Sequence, residues 1–121
     1  MSENQNSKRY DLEERTFQFS KSVALYVKQL PRSISNLEYS RQVVDSSGSV
    51  GANYIEANEA LSKKDFTMRI KICRKETKES AHWLRLIIET NDENCSQGGK
   101  KLLAEAIELK KIFSSILVKS E

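Results

Sequence analysis

The chain has 121 residues, of which 31% are charged, with one proline, four glycines and a formal net charge of +3. This length allows one domain with a single core, and the abundance of Leu, Ile, Lys, Glu, Ala and Ser favours helix. The polar N-terminal residues lack the apolar segment of a signal peptide, and no apolar run approaches the roughly 20 residues of a membrane span. We therefore expect a cytoplasmic protein without membrane association.

Hydrophobic periodicity predicts four helices, and the first runs from about Tyr10 to about Leu30. Asp11 is its predicted N-cap, in a capping-box arrangement, and Pro31 stops it because the proline ring cannot enter the next turn. Its predicted core face consists of Phe17, Ser20, Val23, Ala24, Val27 and Leu30.

The second helix is predicted over residues 36–61, with Asn36 as its N-cap. Gly48 and Gly51 lie inside it, but "GSVG" lacks the preceding strand and the lysine of a phosphate-binding loop. A glycine inside a helix costs about 1 kcal/mol relative to alanine, and close approach of another helix would offset that cost. We therefore expect an unbroken helix. Its predicted core positions are Val43, Ser47, Val50, Tyr54, Ala57 and Leu61.

The third helix is predicted to begin at the cap Asp65 and to end near Asn91. Its predicted core positions are Phe66, Ile70, Cys73, Thr77, Ser80, Leu84 and Ile87. The following stretch, "NDENCSQGG", is predicted to be a loop because its residues favour turns. A fourth helix is expected over residues 100–119, and its predicted core positions are Leu102, Ala106, Leu109, Phe113 and Ile116.

Short connections between helices favour antiparallel neighbours, so the sequence predicts an all-α, up-down-up-down four-helix bundle. We expect residues 10–121 to form this single domain after a flexible tail of residues 1–9. The two cysteines, Cys73 and Cys95, and the only histidine, His82, do not form a metal or catalytic motif. We therefore expect no metal, no cofactor and no enzymatic activity. His82 is interpreted as a partly buried packing residue.

Positive charge is concentrated in the third helix. Residues 63–86 contain eight basic and three acidic residues, a local charge of +5, so the rest of the chain carries −2. Five of the basic residues share one face of the helix: Lys64, Lys71, Lys75, Lys78 and Arg85. Such a face suits a phosphate backbone, and no aromatic residue interleaves with the lysines to read bases. A solvated face, or a surface for an acidic protein partner, remains the alternative.

A second face of the second helix is small and polar, where exposed faces usually carry Lys and Glu. It comprises Ser49, Asn53, Glu56 and Ala60. We interpret it as an interface to another helix or to another copy of the chain, with ordinary polar surface as the alternative. Trp83 is expected to be an anchor at the bundle edge or a subunit contact.

Three stretches in this order resemble a bacterial family of four-helix bundles: "RTFQFSKSVALYVKQLPRS", "EYSRQVVDSSGSVGANYIEANEALSKKDF" and "IKICRKETKESAHWLRLI". That family includes proteins encoded in intervening sequences of the large ribosomal RNA gene and the accessory variability protein of diversity-generating retroelements. The most specific parts are residues 49–53 followed by Glu56-Ala57, and residues 78–81 followed by Trp83-Leu84.

The resemblance implies a homopentamer with a basic surface and, in the retroelement branch, binding of nucleic acid and of a reverse transcriptase. The candidates that it implies for the nucleic-acid surface are Arg69, Lys71, Arg74, Lys75 and Lys78. Those that it implies for structural or interface roles are Ser49, Asn53, Glu56 and Glu79. Asp45-Ser46-Ser47 stands where the family often has a basic residue, which argues against nucleic acid contacting the second helix. We therefore predict a sequence-nonspecific nucleic-acid-binding oligomer, an accessory factor to a reverse transcriptase, with a protein-interaction scaffold as the alternative.

Overall fold

The computed structural model describes the backbone of residues 3–120 and the side chains of residues 11–120. It contains four helices, α1 (Glu3–Val27), α2 (Ile34–Asn58), α3 (Lys63–Thr90) and α4 (Glu93–Lys119), and no strand in the described part of the chain. α1 and α3 each pack against α2 and α4 but not against each other, so they lie diagonally across the bundle. The predicted all-α four-helix bundle is confirmed. Within the described residues, no helix is both long and apolar enough to span a membrane.

All four helices contribute to one hydrophobic core. The predicted core positions of α3 are buried from Ile70 to Ile87, whereas Phe66 is half-buried. In α4, Leu117 takes the buried place that was predicted for Ile116. Leu61 was predicted to continue the core face of α2, but it lies beyond that helix and is 99% exposed.

The core face of α1 is rotated by about one residue from the predicted face. The buried residues are Leu12, Thr16, Phe19, Val23, Tyr26 and Leu30. Phe17, predicted to be in the core, is 59% exposed. The apolar residues of α1 form two overlapping stripes, and the buried one contacts both neighbouring helices. Thr16 faces Gly51 of α2, and the Tyr26 hydroxyl donates to the Cys95 carbonyl of α4 at 2.7 Å.

α1 and α2 begin earlier than predicted. α1 begins at Glu3, so Asp11 lies inside the helix and most of the predicted N-terminal tail is helical. α2 begins after Ser33, whose Oγ accepts a hydrogen bond from the Asn36 N–H at 3.1 Å. The prediction of Asn36 as the N-cap is wrong. Ser33 is the N-cap, and Asn36 is the residue whose backbone N–H donates to it. The same displacement occurs at α3, where Ser62 Oγ accepts from the N–H of Asp65, the predicted cap, at 3.0 Å.

The glycines of α2 lie inside an unbroken helix, as predicted, although the helix ends at Asn58. Neither Gly48 nor Gly51 has a positive φ. A Cβ added to Gly51 would lie 3.2 Å from Thr16 Oγ1 of α1, whereas one added to Gly48 would lie 3.8 Å from Ser20 Oγ. Gly51 is therefore the point of close approach between α1 and α2.

The predicted loop at residues 91–99 is wrong, because α4 begins at Glu93 and includes both glycines of this stretch. Its N-cap is Asp92, whose carboxylate accepts from the Cys95 N–H at 2.9 Å. A Cβ on Gly99 would lie 2.7 Å from Tyr26 Oη and 3.0 Å from Ile88 Cγ1. This glycine makes room for a neighbouring side chain and does not form a turn.

Candidate nucleic-acid interface

The outward face of α3 carries a row of exposed basic side chains, called the basic stripe below. Its members are Lys64, Lys71, Lys75, Lys78 and Arg85. The row faces solvent because the buried positions from Ile70 to Ile87 take the opposite side of the same helix. From Lys64 to Arg85 the stripe is about 30 Å long at the rise of an α-helix. The structure therefore places these predicted residues on one continuous surface.

Few acidic groups neutralise the basic stripe. Arg85 Nη2 lies 3.5 Å from Glu89 Oε2, and both side chains are exposed. Among the side chains of residues 11–120, none of the four lysines of the stripe forms an ion pair. An exposed pair such as Arg85–Glu89 contributes little to stability and exchanges readily for another anion. An anionic ligand could therefore contact these lysines without first breaking an ion pair.

Arg69, a predicted nucleic-acid residue, lies beside the stripe on the α2 side of α3. Its Nη1 donates to Asn53 Oδ1 at 3.0 Å, and Asn53 Nδ2 donates to the Ser49 carbonyl at 2.9 Å. All three residues are half-buried. Both of these hydrogen bonds of Asn53 are formed within the chain. Glu56, on the same face, is exposed.

Further along α3 than Arg69, carboxylates lie on the α2 side of the helix. Burial of Glu76 raises its pKa, and the carboxylates of Glu79 and Asp45 raise it further, whereas Lys75 lowers it. Glu79, a predicted structural or interface residue, is exposed next to the stripe, and Arg74 is half-buried. Carboxylates of both helices therefore lie close together where α2 meets α3.

Buried hydroxyl groups connect α2 to α3 beneath the stripe. Ser46 Oγ and Ser80 Oγ are 2.8 Å apart, and both residues are buried. Ser80 also donates to the Glu76 carbonyl at 2.9 Å. Sequence reasoning placed Ser80 on the core face but missed its partner, because Ser46 lies one position before the predicted core residue Ser47. These small polar residues allow the two helices to pack closely while every hydroxyl is hydrogen-bonded.

Three ring side chains meet near the C-terminal end of the stripe. Tyr39 of α2 stacks on Trp83 with a centroid separation of 6.0 Å and an interplanar angle of 30°. His82 meets Trp83 edge-to-face, at 4.9 Å and 70°. Trp83 is half-buried and packs against the hydrophobic core.

The prediction that His82 is partly buried is wrong. It is exposed because it follows Lys75 by seven residues, two helical turns, and so lies on the outward face. With Arg85, Leu86 and Glu89 it lines a shallow open pocket. The helical spacing between His82 and the lysines could have predicted this exposure from the sequence. Within the described side chains, no group of three or more His, Cys, Asp or Glu residues could hold a metal ion.

Comparison with known proteins identifies the family. Among solved structures, the chain is similar to a crystal structure of a protein of unknown function from the S23 ribosomal protein family of Bacteroides thetaiotaomicron. The two are 28% identical, the match covers 87% of this chain and 96% of the other, and the TM-score is 0.72. The comparison with curated proteins finds no match. The family model for 23S rRNA-intervening sequence proteins matches residues 8–115, so the chain belongs to the 23S rRNA-intervening sequence protein family.

Proposed function

We propose that this protein is a non-enzymatic, oligomeric bundle that binds the phosphate backbone of nucleic acid through the basic stripe of α3. The observation that carries the proposal is the row of exposed lysines on one face of α3, none of which forms an ion pair with a described side chain. Lysines contact phosphates as point charges, so binding would be sensitive to salt and nearly independent of sequence. It would take place in the cytoplasm.

We also propose that copies of the chain assemble through an apolar face shared by α1 and α2. Phe17 on α1, and Val44 and Ile55 on α2, are 59%, 42% and 51% exposed. Phe17 follows Thr16, whose Oγ1 would lie 3.2 Å from a Cβ at Gly51. Val44 precedes Gly48 by one helical turn, and Ile55 follows Gly51 by one turn. Exposed apolar side chains that share a face are typical of interaction surfaces. A pentamer is the assembly that the family resemblance implies.

The positions of the two surfaces are compatible with one assembly. The apolar residues of the proposed face lie on α1 and α2, and α1 does not pack against α3, so this face and the basic stripe share no residue. Repetition of the stripe would raise the affinity for a long nucleic acid through multivalency. Each surface can therefore be tested separately.

Charge reversal tests the nucleic-acid surface. We expect the Lys71→Glu/Lys75→Glu/Lys78→Glu variant to lose binding of a labelled duplex or single strand at low salt. The matched control is Lys101→Glu/Lys110→Glu/Lys119→Glu, which changes the total charge equally but acts on exposed residues of α4. Equal loss of nucleic-acid binding in both variants would show that binding depends on net charge and not on the basic stripe. Absence of binding by the wild-type protein at low salt would reject the proposal and leave the protein-interaction scaffold.

Light scattering tests self-association. We expect a mass of several 13.9 kDa chains for the wild-type protein and a smaller mass for Phe17→Glu/Ile55→Glu. Ile107→Glu is the control, because Ile107 is similarly exposed, at 43%, but lies on α4. A monomeric wild-type protein, or the same assembly in the double variant, would contradict the proposed interface.

A reverse transcriptase is the further partner that we propose from the resemblance to retroelement accessory proteins. In that role the bundle would present nucleic acid to the polymerase. A neighbouring gene for a reverse transcriptase, and its co-purification with this protein, would support this part of the proposal. Location of the gene inside a ribosomal RNA gene, with no such neighbour, would count against it.

A further inference from the structure

We propose that the His82 end of the basic stripe binds an unpaired nucleobase, so that the protein prefers single-stranded to duplex nucleic acid. This inference rests on the proposed function, since it concerns the same surface. It adds an exposed ring to a row of cations whose proposed role is to contact phosphates. It also assigns a ligand class to the shallow pocket beside His82.

The first observation is the placement of an exposed ring on the stripe. His82 lies one helical turn after Lys78 and three residues before Arg85. A strand whose phosphates follow these cations would pass directly over the imidazole ring. Flat side chains beside phosphate-binding cations are the arrangement by which proteins bind single strands, because every base has a π-face that can stack.

The second observation is that the imidazole packs edge-to-face against the ring of Trp83. Its centroid lies 4.9 Å from that of Trp83, which in turn stacks on Tyr39 at 6.0 Å. Trp83 and Tyr39 are half-buried and pack against the core, so the row of rings is anchored in the bundle. A ring that is already positioned loses little conformational entropy when a base stacks on it.

The third observation is the pocket itself. It is lined by His82, Arg85, Leu86 and Glu89, which combine a ring, an apolar wall and an exposed guanidinium. Arg85 can hold the phosphate of a nucleotide whose base contacts His82, once the guanidinium exchanges Glu89 for that phosphate. The bases of a duplex are paired and stacked on each other, so this contact is open only to an unpaired base.

Trp83 provides a direct probe because it is the only tryptophan in the chain. We would measure its fluorescence in three separate titrations. The ligands are an oligothymidylate, a strand of the same length in which every nucleotide lacks its base, and a duplex with the same number of phosphates. The abasic strand keeps the phosphates and removes the bases. We expect the oligothymidylate to change Trp83 emission and to bind about fivefold or more tightly than the abasic strand.

The matched variants are His82→Ala and Lys64→Ala. His82→Ala should abolish the preference for the base-containing strand and leave affinity for the abasic strand unchanged. Lys64→Ala, at the far end of the stripe, should weaken both strands equally. Circular dichroism checks that both variants are folded.

The outcomes separate this inference from the proposed function. If intact and abasic strands bind equally, or if His82→Ala keeps the preference, the base-binding site is rejected while phosphate binding stands. If the duplex binds more tightly than the single strand at equal phosphate count, the single-strand preference is rejected. If none of the three ligands binds at low salt, both proposals fail.

Discussion

Asn36 and Asn91 hydrogen-bond each other reciprocally through their side-chain amides at one end of the bundle. Asn36 Nδ2 donates to Asn91 Oδ1 at 2.9 Å, and Asn91 Nδ2 donates to Asn36 Oδ1 at 2.8 Å. Asn36 also donates to the Pro31 carbonyl, and Asn91 to the Ile87 carbonyl. The pair therefore joins the α1–α2 connection and the first turn of α2 to the end of α3.

Removal of either amide should destabilise the bundle. Asn36 is only 4% exposed, so Asn91→Ala leaves a buried amide group without its partner, at a cost of about 1–3 kcal/mol. The double variant Asn36→Ala/Asn91→Ala should cost less than the sum of the two single variants. Urea denaturation measures these differences, with the exposed Asn94→Ala as control. Single variants no less stable than Asn94→Ala would show that the pair contributes nothing.

Substitution of glycine by alanine should have opposite effects at two helical sites. Gly48→Ala should stabilise the protein by up to about 1 kcal/mol, because alanine is the better helix former. The new Cβ would lie at an ordinary contact distance, 3.8 Å from Ser20 Oγ. Gly99→Ala should destabilise it, because the Cβ would lie 2.7 Å from Tyr26 Oη, a hydroxyl held by the Cys95 carbonyl. Thermal denaturation of both variants measures the effect, and equal shifts in the midpoint would refute this account of the glycines.

Cys73 should make stability fall at alkaline pH. Burial raises the pKa of this thiol from 9.0 to about 12. The unfolded chain therefore loses the proton first as pH rises, so stability that is complete below pH 9 is lost between pH 9 and about 12. The slope would reach at most about 1.4 kcal/mol per pH unit.

The measurement for Cys73 compares the free energy of unfolding of the wild type and Cys73→Ala across this alkaline range. Wild-type stability should decline more steeply, because the variant lacks the buried thiol. Cys95→Ala, which keeps the buried thiol, is the control and should follow the wild type more closely. Parallel curves for wild type and Cys73→Ala would contradict the assignment.

Arg69 should matter more for stability than for nucleic-acid binding. Its guanidinium is half-buried and bonded to Asn53, so Arg69→Ala should cost about 1 kcal/mol through the lost hydrogen bond and lost packing. Lys71→Ala, at an exposed position of the stripe, should leave stability nearly unchanged and weaken binding. Denaturation and binding titrations of both variants provide the test. The reverse order of effects would place Arg69 on the binding surface.

Prediction from sequence was most accurate for α3, because its apolar pattern has a single interpretation. α3 repeats its core positions without a competing face, so both its burial from Ile70 onwards and its outward lysines followed from spacing. In α1, Phe17 and Phe19 begin alternative faces, and the contacts of Thr16 with α2 and of Tyr26 with α4 belong to the face of Phe19. Such a choice depends on tertiary packing, which local periodicity does not contain.

The glycines show the same limit. Close helix approach was the correct reading of Gly51, but Gly98 and Gly99 were assigned to a loop because Asn, Asp and Ser surround them. Their packing partner, Tyr26, is distant in sequence, so no local signal distinguished a turn from a close contact. The exposure of His82 was missed for a different reason. Its spacing relative to the lysines was visible, but a lone histidine was interpreted as a packing residue.

The salt dependence of binding tests the central claim about α3 most directly. The slope of log K against log salt should become less steep in Lys71→Gln/Lys75→Gln/Lys78→Gln, by about 0.7 to 0.9 for each phosphate contact that is lost. A variant with the same slope and affinity as the wild-type protein would show that the outward face of α3 does not bind nucleic acid.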